Sequence, residues 1–426
     1  MSTGARVQRR RERLARRRAR RRHTMAAVAT AVALAGALTV LPSGADGGPA
    51  PVRDRASPSR GAGPTVASDG TSQPSGPPVP APEPSPTRAG PRPVPDAEVR
   101  TSAPTTPDGT PEASDSPEHR PGPHPAEAAA GPLDGLDLYR HPRTQALEWL
   151  RSNPGDRRRD LIDSRIAQVP VALWFTSHDP GAIRSRVRAV TAAAEAQARL
   201  PVLVPYVIPH RDCGGASGGG APSHAAYDGW MREFAAGLGG GPVIVVLEPD
   251  SLAMADCLPA GRRADRYASL ARAARALKAG NARARVYFDA GSSAWHPAAE
   301  MARVLRAAGA VEHGDGVFTN VSQYHRTEDE AAYARAVLAA LGAPARHGAV
   351  IDTGRNGNGP PVPGPDAWCD PPGRGVGQPP TTGTGADRID AYLWVKPPGE
   401  SDGCRGLPGA FSPDYAYELA SGGSFR

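Results

Sequence analysis

The chain has 426 residues, a formal net charge of +7 and only 5% aromatic residues. No Phe, Trp or Tyr precedes Tyr139, so the first third of the chain cannot bury enough apolar surface to offset the entropy of ordering it. Eleven arginines and one glutamate lie between Met1 and Thr24, which leaves the remaining chain at about −3. The basic character belongs to this terminal segment, and we expect no nucleic-acid partner.

Residues 1–45 combine the basic segment with an apolar run of 17 residues, Met25–Leu41. A basic n-region, an apolar h-region and the small residues Ser43–Ala45 predict a signal for secretion. An uncleaved N-terminal membrane anchor is the alternative, because the run is close to the length of a membrane span. Residues 46–134 have the composition of a disordered linker, with 21 prolines among the 82 residues at 51–132. This linker has no aromatic platform, so we expect no carbohydrate-binding module in it.

Residues 135–426 form the predicted folded domain, in which strand-like and helix-like segments alternate. Thr327 and Glu330 have the spacing of a capping box for a helix that Gly342 would end. Other helices are predicted from the apolar faces Ile183/Val187/Val190, Tyr227/Met231/Phe234/Leu238 and Tyr267/Leu270/Ala274/Leu277. Seven strands are predicted at Val169–Phe175, Val202–Ile208, Val243–Leu247, Arg285–Phe288, Gly316–Val321, Ala349–Ile351 and Ile389–Val395. This order favours a parallel α/β barrel over an open doubly wound sheet.

Polar and aromatic residues follow the ends of these strands, which face one common pocket in such a barrel. After Val243–Leu247, Asp250 fits either the N-cap of a helix or a catalytic acid. Five strand ends carrying aspartates indicate chemistry, although Asp352 beside Arg355 is expected to be structural. The strand-end residues are Trp174, Tyr206 with Asp212, Glu248 with Asp250, Asp289, Asn320, Asp352 with Arg355, and Lys396 with Glu400 and Asp402.

Clustered carboxylates near tryptophans predict a site for sugars, because aromatic faces stack on pyranose rings and polar groups bond the hydroxyls. Trp174, Trp295, Trp368 and Trp394 are the nearby tryptophans, whereas Trp149 and Trp230 are expected to be core residues. An acid that protonates a glycosidic oxygen needs a raised pKa, which a neighbouring carboxylate provides. Asp212 near Asp250 would do this.

The four cysteines, Cys213, Cys257, Cys369 and Cys404, all lie in the predicted folded domain. Behind a secretion signal their even number predicts two disulfides, with three possible pairings. No two of them have the spacing of zinc ligands, and we expect neither a metal nor a cofactor.

Several motifs together resemble glycoside hydrolase family 6. They are YVIPHRDC at 206–213, LEPDSL at 247–252, YFDAG at 287–291, IDTGRNGNGP at 351–360, WCDP at 368–371 and WVKPPGESDG at 394–403. The resemblance extends over about residues 135–423 and implies a cellulase with a distorted seven-stranded α/β barrel. It also implies the disulfides Cys213–Cys257 and Cys369–Cys404, both of which would brace catalytic loops.

The resemblance implies inverting hydrolysis of β-1,4-glucan, a polysaccharide or oligosaccharide partner, by a monomeric enzyme. Asp250 would be the general acid, Asp212 the neighbour that raises its pKa, and Asp402 the candidate base. In an inverting enzyme, the acid and the base lie about 6.5 to 9.5 Å apart. Tyr206 would press on the sugar ring at the cleavage point. The expected substrate-binding residues are Trp174, Asp289, Trp295, Asn320, Trp368, Lys396 and Glu400.

The segment after Asp402 reaches Cys404 and Leu407 too soon to form a long roof, which favours an open cleft and endo-cleavage. The resulting prediction is a secreted endo-β-1,4-glucanase. The alternatives are an exo-acting cellobiohydrolase and a catalytically weakened glucan-binding protein at the cell surface. The sequence departs from the family pattern at His210, Gly218, Ser292, Gln323 and Arg326. Arg326 stands where the family usually has a tryptophan, so a platform for stacking on sugar rings would be lost.

Overall fold

The computed structural model describes residues 131–364 and 366–422. The predicted secretion signal and nearly all of the predicted linker lie outside these residues. One seven-stranded sheet, with its strands in chain order and every neighbouring pair parallel, forms the centre of the domain. Its strands are β1 Leu173–Phe175, β2 Val202–Pro205, β3 Val243–Leu247, β4 Ala284–Asp289, β5 Gly316–Thr319, β6 Gly348–Asp352 and β7 Ile389–Leu393. The predicted seven-stranded parallel architecture is confirmed.

The sheet curls until its two edge strands approach each other without pairing along their length. Just outside β1 and β7, the Ala172 N–H donates to the Trp394 carbonyl at 3.0 Å. The Trp174 indole N–H donates to the Val395 carbonyl at 2.7 Å. Side-chain and backbone bonds therefore close the barrel where strand pairing would close a regular one, which makes it a distorted barrel.

Nine α-helices are present in the described part of the chain. They are α1 Gln145–Ser152, α2 Arg159–Ile162, α3 Ile183–Glu195, α4 His224–Ala236, α5 Ala260–Gly280, α6 Ala298–Ala307, α7 Ala310–His313, α8 Thr327–Leu341 and α9 Pro413–Gly422. Gly342 ends α8 in the left-handed region, at φ 67°, as predicted. The predicted capping box is wrong. The cap position is Arg326, the Thr327 hydroxyl accepts from Asn356, and the Glu330 carboxylate accepts from the Ser293 N–H.

Apolar residues alternate along each strand between two cores. Val202, Val204, Ile244 and Val246 fill the barrel interior, while Leu203 and its outward-facing counterparts pack against the helices. A full burial of each such side chain contributes about 1.5–3 kcal/mol. Because both faces of the sheet are covered, the strands have near-continuous apolar sequences, which is why they were predictable.

A third apolar cluster lies outside the barrel near its closure, and it changes two predictions. Trp394 is only 1% exposed and donates its indole N–H to the Gln378 carbonyl, so it is a core residue and does not reach a sugar site. Val169 and Val171 pack into the same cluster, which explains why β1 begins later than predicted. Trp230 is buried in the main core as expected. Among the described residues, no helix combines the length and apolarity needed to cross a bilayer.

Candidate active site

A cleft at the C-terminal ends of the strands consists of two adjoining chambers of about 510 and 530 Å³. The first, the Glu400 chamber, is lined by Glu400 and Gln145 among others. The second, the Asp250 chamber, is lined by the three carboxylates Asp212, Asp250 and Asp402. Both chambers share Trp174, Tyr206 and Lys396, and Trp295 and Trp368 line the Asp250 chamber. The structure therefore brings together nine of the predicted site residues.

Asp250 lies in a turn directly after β3, in a left-handed conformation with φ 68°. The next helical element is a short 3₁₀ turn at Ala255–Cys257, so Asp250 is not the N-cap that its sequence position also allowed. Within the described residues, no hydrogen-bond donor contacts its carboxyl group. Burial raises the pKa of Asp250 well above its usual range, and the negative charges of Asp289, Asp212 and Asp402 raise it further. Asp250 is therefore poised to hold a proton.

Asp289, at the end of β4, lies behind the chamber and is 2% exposed. Its carboxylate accepts the backbone N–H groups of Leu252 and Ala253 at 2.9 Å, and that of Gly291 at 2.9 Å. These bonds fix the loop that follows Asp250. Asp289 does not line either chamber, where the sequence predicted a substrate-binding residue, and it occupies a supporting position with a negative charge near the acid.

Asp212 lies in the loop after β2, where its carboxylate accepts the Ser217 N–H at 2.6 Å. Two braces connect this loop region to the β3 loop. The buried Glu248 accepts the N–H groups of Val207 and Ile208, each at 3.0 Å. The disulfide Cys213–Cys257 joins the same two loops, so this implied pairing is confirmed. Burial raises the pKa of Glu248 to about 7 despite these two bonds.

Asp402 lines the same chamber and lies beside two cations. Its carboxylate bonds the Arg355 guanidinium at 2.8 Å and the Tyr324 hydroxyl at 3.1 Å, and the Lys396 ammonium lies 3.4 Å away. Burial alone would raise the pKa of Asp402, but Arg355 and Lys396 outweigh it and lower the pKa. Asp402 is therefore ionised and strongly paired, which limits its basicity.

Asp370 braces the loop that carries Asp402. Its carboxylate accepts from the Ser401 hydroxyl at 2.6 Å and from the N–H groups of Asp402, Cys404 and Arg405 at 2.8 to 3.1 Å. The disulfide Cys369–Cys404 closes the same loop, as the family resemblance implied. Two disulfides are typical of proteins that fold in an oxidising compartment such as the extracellular space.

Aromatic side chains form the walls of the cleft. Tyr206 meets Trp174 edge to face at 5.1 Å, and the Arg211 guanidinium lies over its ring at 4.6 Å. Trp295 and Trp368 are 36% and 50% exposed, so part of each ring is accessible from the cleft. In the Glu400 chamber, Gln145 donates to Glu400 at 2.7 Å, and burial raises the pKa of Glu400 to about 7.

Asn320 does not line the cleft, contrary to the prediction that it binds substrate. It is fully buried, donates to the carbonyls of His325 and Asp352, and accepts the His325 N–H at 3.0 Å. Asp352 accepts the N–H groups of Gly354 and Lys396, which confirms its expected structural position.

The departures from the family pattern have different surroundings. Ser292 is buried, Gln323 lines the Asp250 chamber, and Arg326 is exposed outside it. At Gly218 a Cβ would lie 3.0 Å from the Gly214 Cα, so a serine would crowd this loop.

Left-handed backbone, which costs some strain, is concentrated at the strand ends and includes the cleft residues Asp212, Asp250 and Ser322. Tyr324 and Arg355 were the important neighbours of Asp402 that sequence reasoning did not place beside it. The non-glycine residues with positive φ in these loops are His210, Asp212, Cys213, Glu248, Asp250, Asn320 and Ser322.

Comparison with known proteins agrees with this geometry. The model of glycosyl hydrolases family 6 matches residues 137–416. Endoglucanase 1 of Streptomyces sp. (strain KSM-9) is 53% identical over 297 residues, which cover 70% of this chain and 81% of that protein. Endoglucanase A of Thermobispora bispora is 48% identical over 296 residues, but the match covers only 64% of that longer protein and 69% of this chain.

A solved structure of the endoglucanase Cel6 from Mycobacterium tuberculosis, in complex with methyl-cellobiosyl-4-deoxy-4-thio-β-D-cellobioside, is similar in fold and sequence. The TM-score is 0.64 and the identity 39%, with 69% of this chain and 99% of that chain covered. The resemblance seen in the sequence motifs is confirmed. The chain belongs to glycosyl hydrolases family 6 and is a glycoside hydrolase.

Proposed function

We propose that this enzyme is a secreted, inverting endo-β-1,4-glucanase that acts on cellulose or related β-glucans. The observation that carries the proposal is the Asp250 chamber, in which a carboxyl group with a raised pKa faces two other carboxylates and two exposed tryptophans. The endoglucanase names of the similar proteins support the same substrate class.

Asp250 is the proposed general acid. Its neutral carboxyl donates a proton to the glycosidic oxygen as the bond between that oxygen and the anomeric carbon breaks. A water molecule attacks the anomeric carbon from the opposite face, which inverts its configuration. Asp212 supports the acid by raising its pKa, and Tyr206 presses on the sugar ring at the cleavage point.

Asp402 is the proposed carboxylate on the side of the attacking water. Its ion pairs with Arg355 and Lys396 keep it anionic, so its charge can stabilise the positive charge that develops on the sugar. The same pairs make it a weak base, and we propose that solvent in the cleft carries the proton of the attacking water. Trp174, Trp295, Trp368, Lys396 and Glu400 are the proposed sugar-binding residues.

The short segment after Asp402 supports endo-cleavage. Residues 401–410 fold back on themselves, since the Ser401 N–H donates to the Ala410 carbonyl and the Gly409 N–H donates to the Ser401 carbonyl. Leu407 at the tip is 72% exposed. A segment this compact leaves Trp368 half exposed, and an internal stretch of a polysaccharide could then enter from the side.

NMR of fresh product from a soluble cello-oligosaccharide tests the mechanism, with Asp250→Asn and Asp387→Asn as matched variants. Asp387 is exposed near the N-terminal end of β7, away from the cleft. The α-anomer should appear first, Asp250→Asn should lose about 10²- to 10⁴-fold in kcat, and Asp387→Asn should lose none. Initial release of the β-anomer, or equal activity of the two variants, would contradict the proposal.

The loss of viscosity of a soluble β-glucan, compared with the release of reducing ends, tests endo-cleavage. An endo-acting enzyme lowers viscosity early, whereas a cellobiohydrolase releases sugar with little loss of viscosity. If the wild type binds every β-glucan tested and hydrolyses none, it is the glucan-binding protein considered above.

Secretion is tested by determining the N-terminus of the protein in the culture medium. A mature chain that begins near residue 46 supports a cleaved signal. An intact chain that sediments with membranes supports the anchor instead.

A further inference from the structure

A buried arginine on α5 connects the two loops that carry the proposed acid and its neighbour. Arg266 is 1% exposed because it lies on the buried face of α5, among apolar residues. One terminal nitrogen donates to the Ser251 carbonyl at 3.2 Å, directly after Asp250. The other donates to the carbonyls of Pro209 and His210 at 2.8 and 2.9 Å, just before Asp212.

This arrangement depends on the shape of the guanidinium group. Arginine presents several N–H donors in a rigid planar fork, whereas the single ammonium of lysine is a compact point charge on a flexible stem. The two terminal nitrogens of Arg266 reach different loops, so the fork sets the spacing between them. The third nitrogen, Nε, has no hydrogen-bond partner among the described residues. The hydrogen bonds of the Arg266 guanidinium therefore all go to these two loops.

The same two loops depend on one another for the acid's protonation state. The negative charge of Asp212 is one of the reasons that the pKa of Asp250 is raised, and burial by the surrounding loops is the largest. Both causes weaken if the loops separate. The titratable groups that influence Asp250 are Asp289, Asp212, Asp402, Lys396 and Tyr206, and those that influence Arg266 are Glu248, Tyr267, Tyr227 and Asp289.

We propose that Arg266 is a positioning residue for hydrolysis, whose guanidinium fork holds the Asp212 and Asp250 loops at a fixed spacing. The inference rests on the proposed role of Asp250 as the general acid. The disulfide Cys213–Cys257 joins the same loops covalently, but its bond runs between side chains and does not hold the carbonyls of Pro209, His210 and Ser251. Arg266 fixes that backbone directly.

The test is the titration of the Asp250 carboxyl carbon by ¹³C NMR in the wild type and in Arg266→Lys, with Asp250→Asn to assign the signal. Lysine keeps the charge but cannot bond both loops, so the pKa of Asp250 should fall by about one unit. A purely electrostatic role of Arg266 predicts no change, because the charge is retained. If the lysine variant does not fold, Arg266→Gln replaces it. Loss of the positive charge alone would raise the pKa of Asp250, whereas loss of the loop spacing would lower it.

Arg285→Lys is the matched control, because Arg285 is a half-buried arginine that pairs with Asp315 and Asp390 near the N-terminal ends of the strands. It should leave the Asp250 titration unchanged. In turnover, Arg266→Lys should lose about tenfold in kcat on a cello-oligosaccharide at pH 7, with little change in KM. It should keep its rate on a dinitrophenyl β-cellobioside, whose leaving group departs without protonation.

An unchanged or raised pKa of Asp250 in the Arg266 variant, or an equal shift in the Arg285 control, would overturn the inference. A wild type that hydrolyses no β-glucan would instead refute the proposed function. In that case the carboxyl titration would still test whether Arg266 positions the two loops, because the titration requires no turnover.

Discussion

Replacing Arg355 with methionine should destabilise the domain in a way that depends on pH. Arg355 is 2% exposed and supplies Asp402 with its shortest bond, at 2.8 Å, while its other terminal nitrogen donates to the Ser322 carbonyl at 2.7 Å. Methionine fills much of the volume but leaves a buried carboxylate with one cation removed. Lys396 and Tyr324 remain near Asp402, so the loss is partial.

Removal of one partner from a buried ion pair costs about 3–5 kcal/mol, and the remaining Lys396 places the expected cost near the lower value. A loss of about 3 kcal/mol corresponds to a fall in Tm of roughly 6–12 °C for a domain of this size. Because Arg355 and Lys396 lower the pKa of Asp402 despite its burial, this pair stabilises the fold above the unfolded pKa and ceases to do so as pH falls through the folded pKa. The deficit of Arg355→Met should therefore be complete at pH 7 and shrink below about pH 4.

Thermal and urea unfolding at pH 7 and pH 3.5 measure this difference. Arg388→Met is the control, because the Arg388 guanidinium donates only to the carbonyls of Ala343, Pro344 and His347 among the described residues, and its deficit should not vary with pH. Adding Asp402→Asn to Arg355→Met should recover stability at pH 7. A deficit that is equal at both pH values, or a double variant no more stable than the single one, would refute the ion-pair argument.

Three further outcomes are expected. Trp368→Ala removes an exposed ring from the cleft and should raise KM for cello-oligosaccharides about 5- to 30-fold, or about 1–2 kcal/mol, with kcat retained. The control is Tyr417→Ala, which removes an exposed aromatic ring on α9 and should change neither constant. Replacement of Cys213 and Cys257 by serine opens a covalent loop with a sequence separation of 44 residues and should cost about 4 kcal/mol in urea unfolding. Burial raises the pKa of Glu400 from 4.5 to about 7, so its ionisation destabilises the fold increasingly as pH rises through that interval. Glu400→Gln should therefore flatten this part of a plot of Tm against pH.

The sheet and its order were predictable because their cause is local. A strand covered on both faces is an apolar run, and seven such runs appear in the sequence at nearly the observed positions. The predictions failed where one residue could be used in two ways. Trp394 looked like a sugar platform because it lies near the strand-end carboxylates, but its ring packs in the third apolar cluster beside the barrel closure.

Polar side chains that bond distant backbone were the least predictable. Thr327 and Glu330 have the correct spacing for a capping box, yet their partners are Asn356 and Ser293, far away in sequence. Arg266 is a charged residue on an otherwise apolar helix face, which the sequence shows. Nothing in the sequence shows that its side chain reaches two separate loops. Such contacts depend on how the elements pack, which periodicity does not record.

The electrostatic surroundings give the carboxylates of the cleft different charge states, and these states reinforce one another. Burial raises the pKa of Asp250, three neighbouring carboxylates raise it further, and no donor among the described residues bonds it, so it retains its proton. Asp402 has Arg355 and Lys396, so it loses its proton. The negative charge of Asp402 in turn helps to keep Asp250 protonated. Protonation of Asp402 at low pH would weaken its pair with Arg355 and remove its negative charge from the cleft, while high pH would ionise Asp250. The productive charge state is therefore confined to the interval between these two titrations, and the cations beside Asp402 widen that interval from its acidic side.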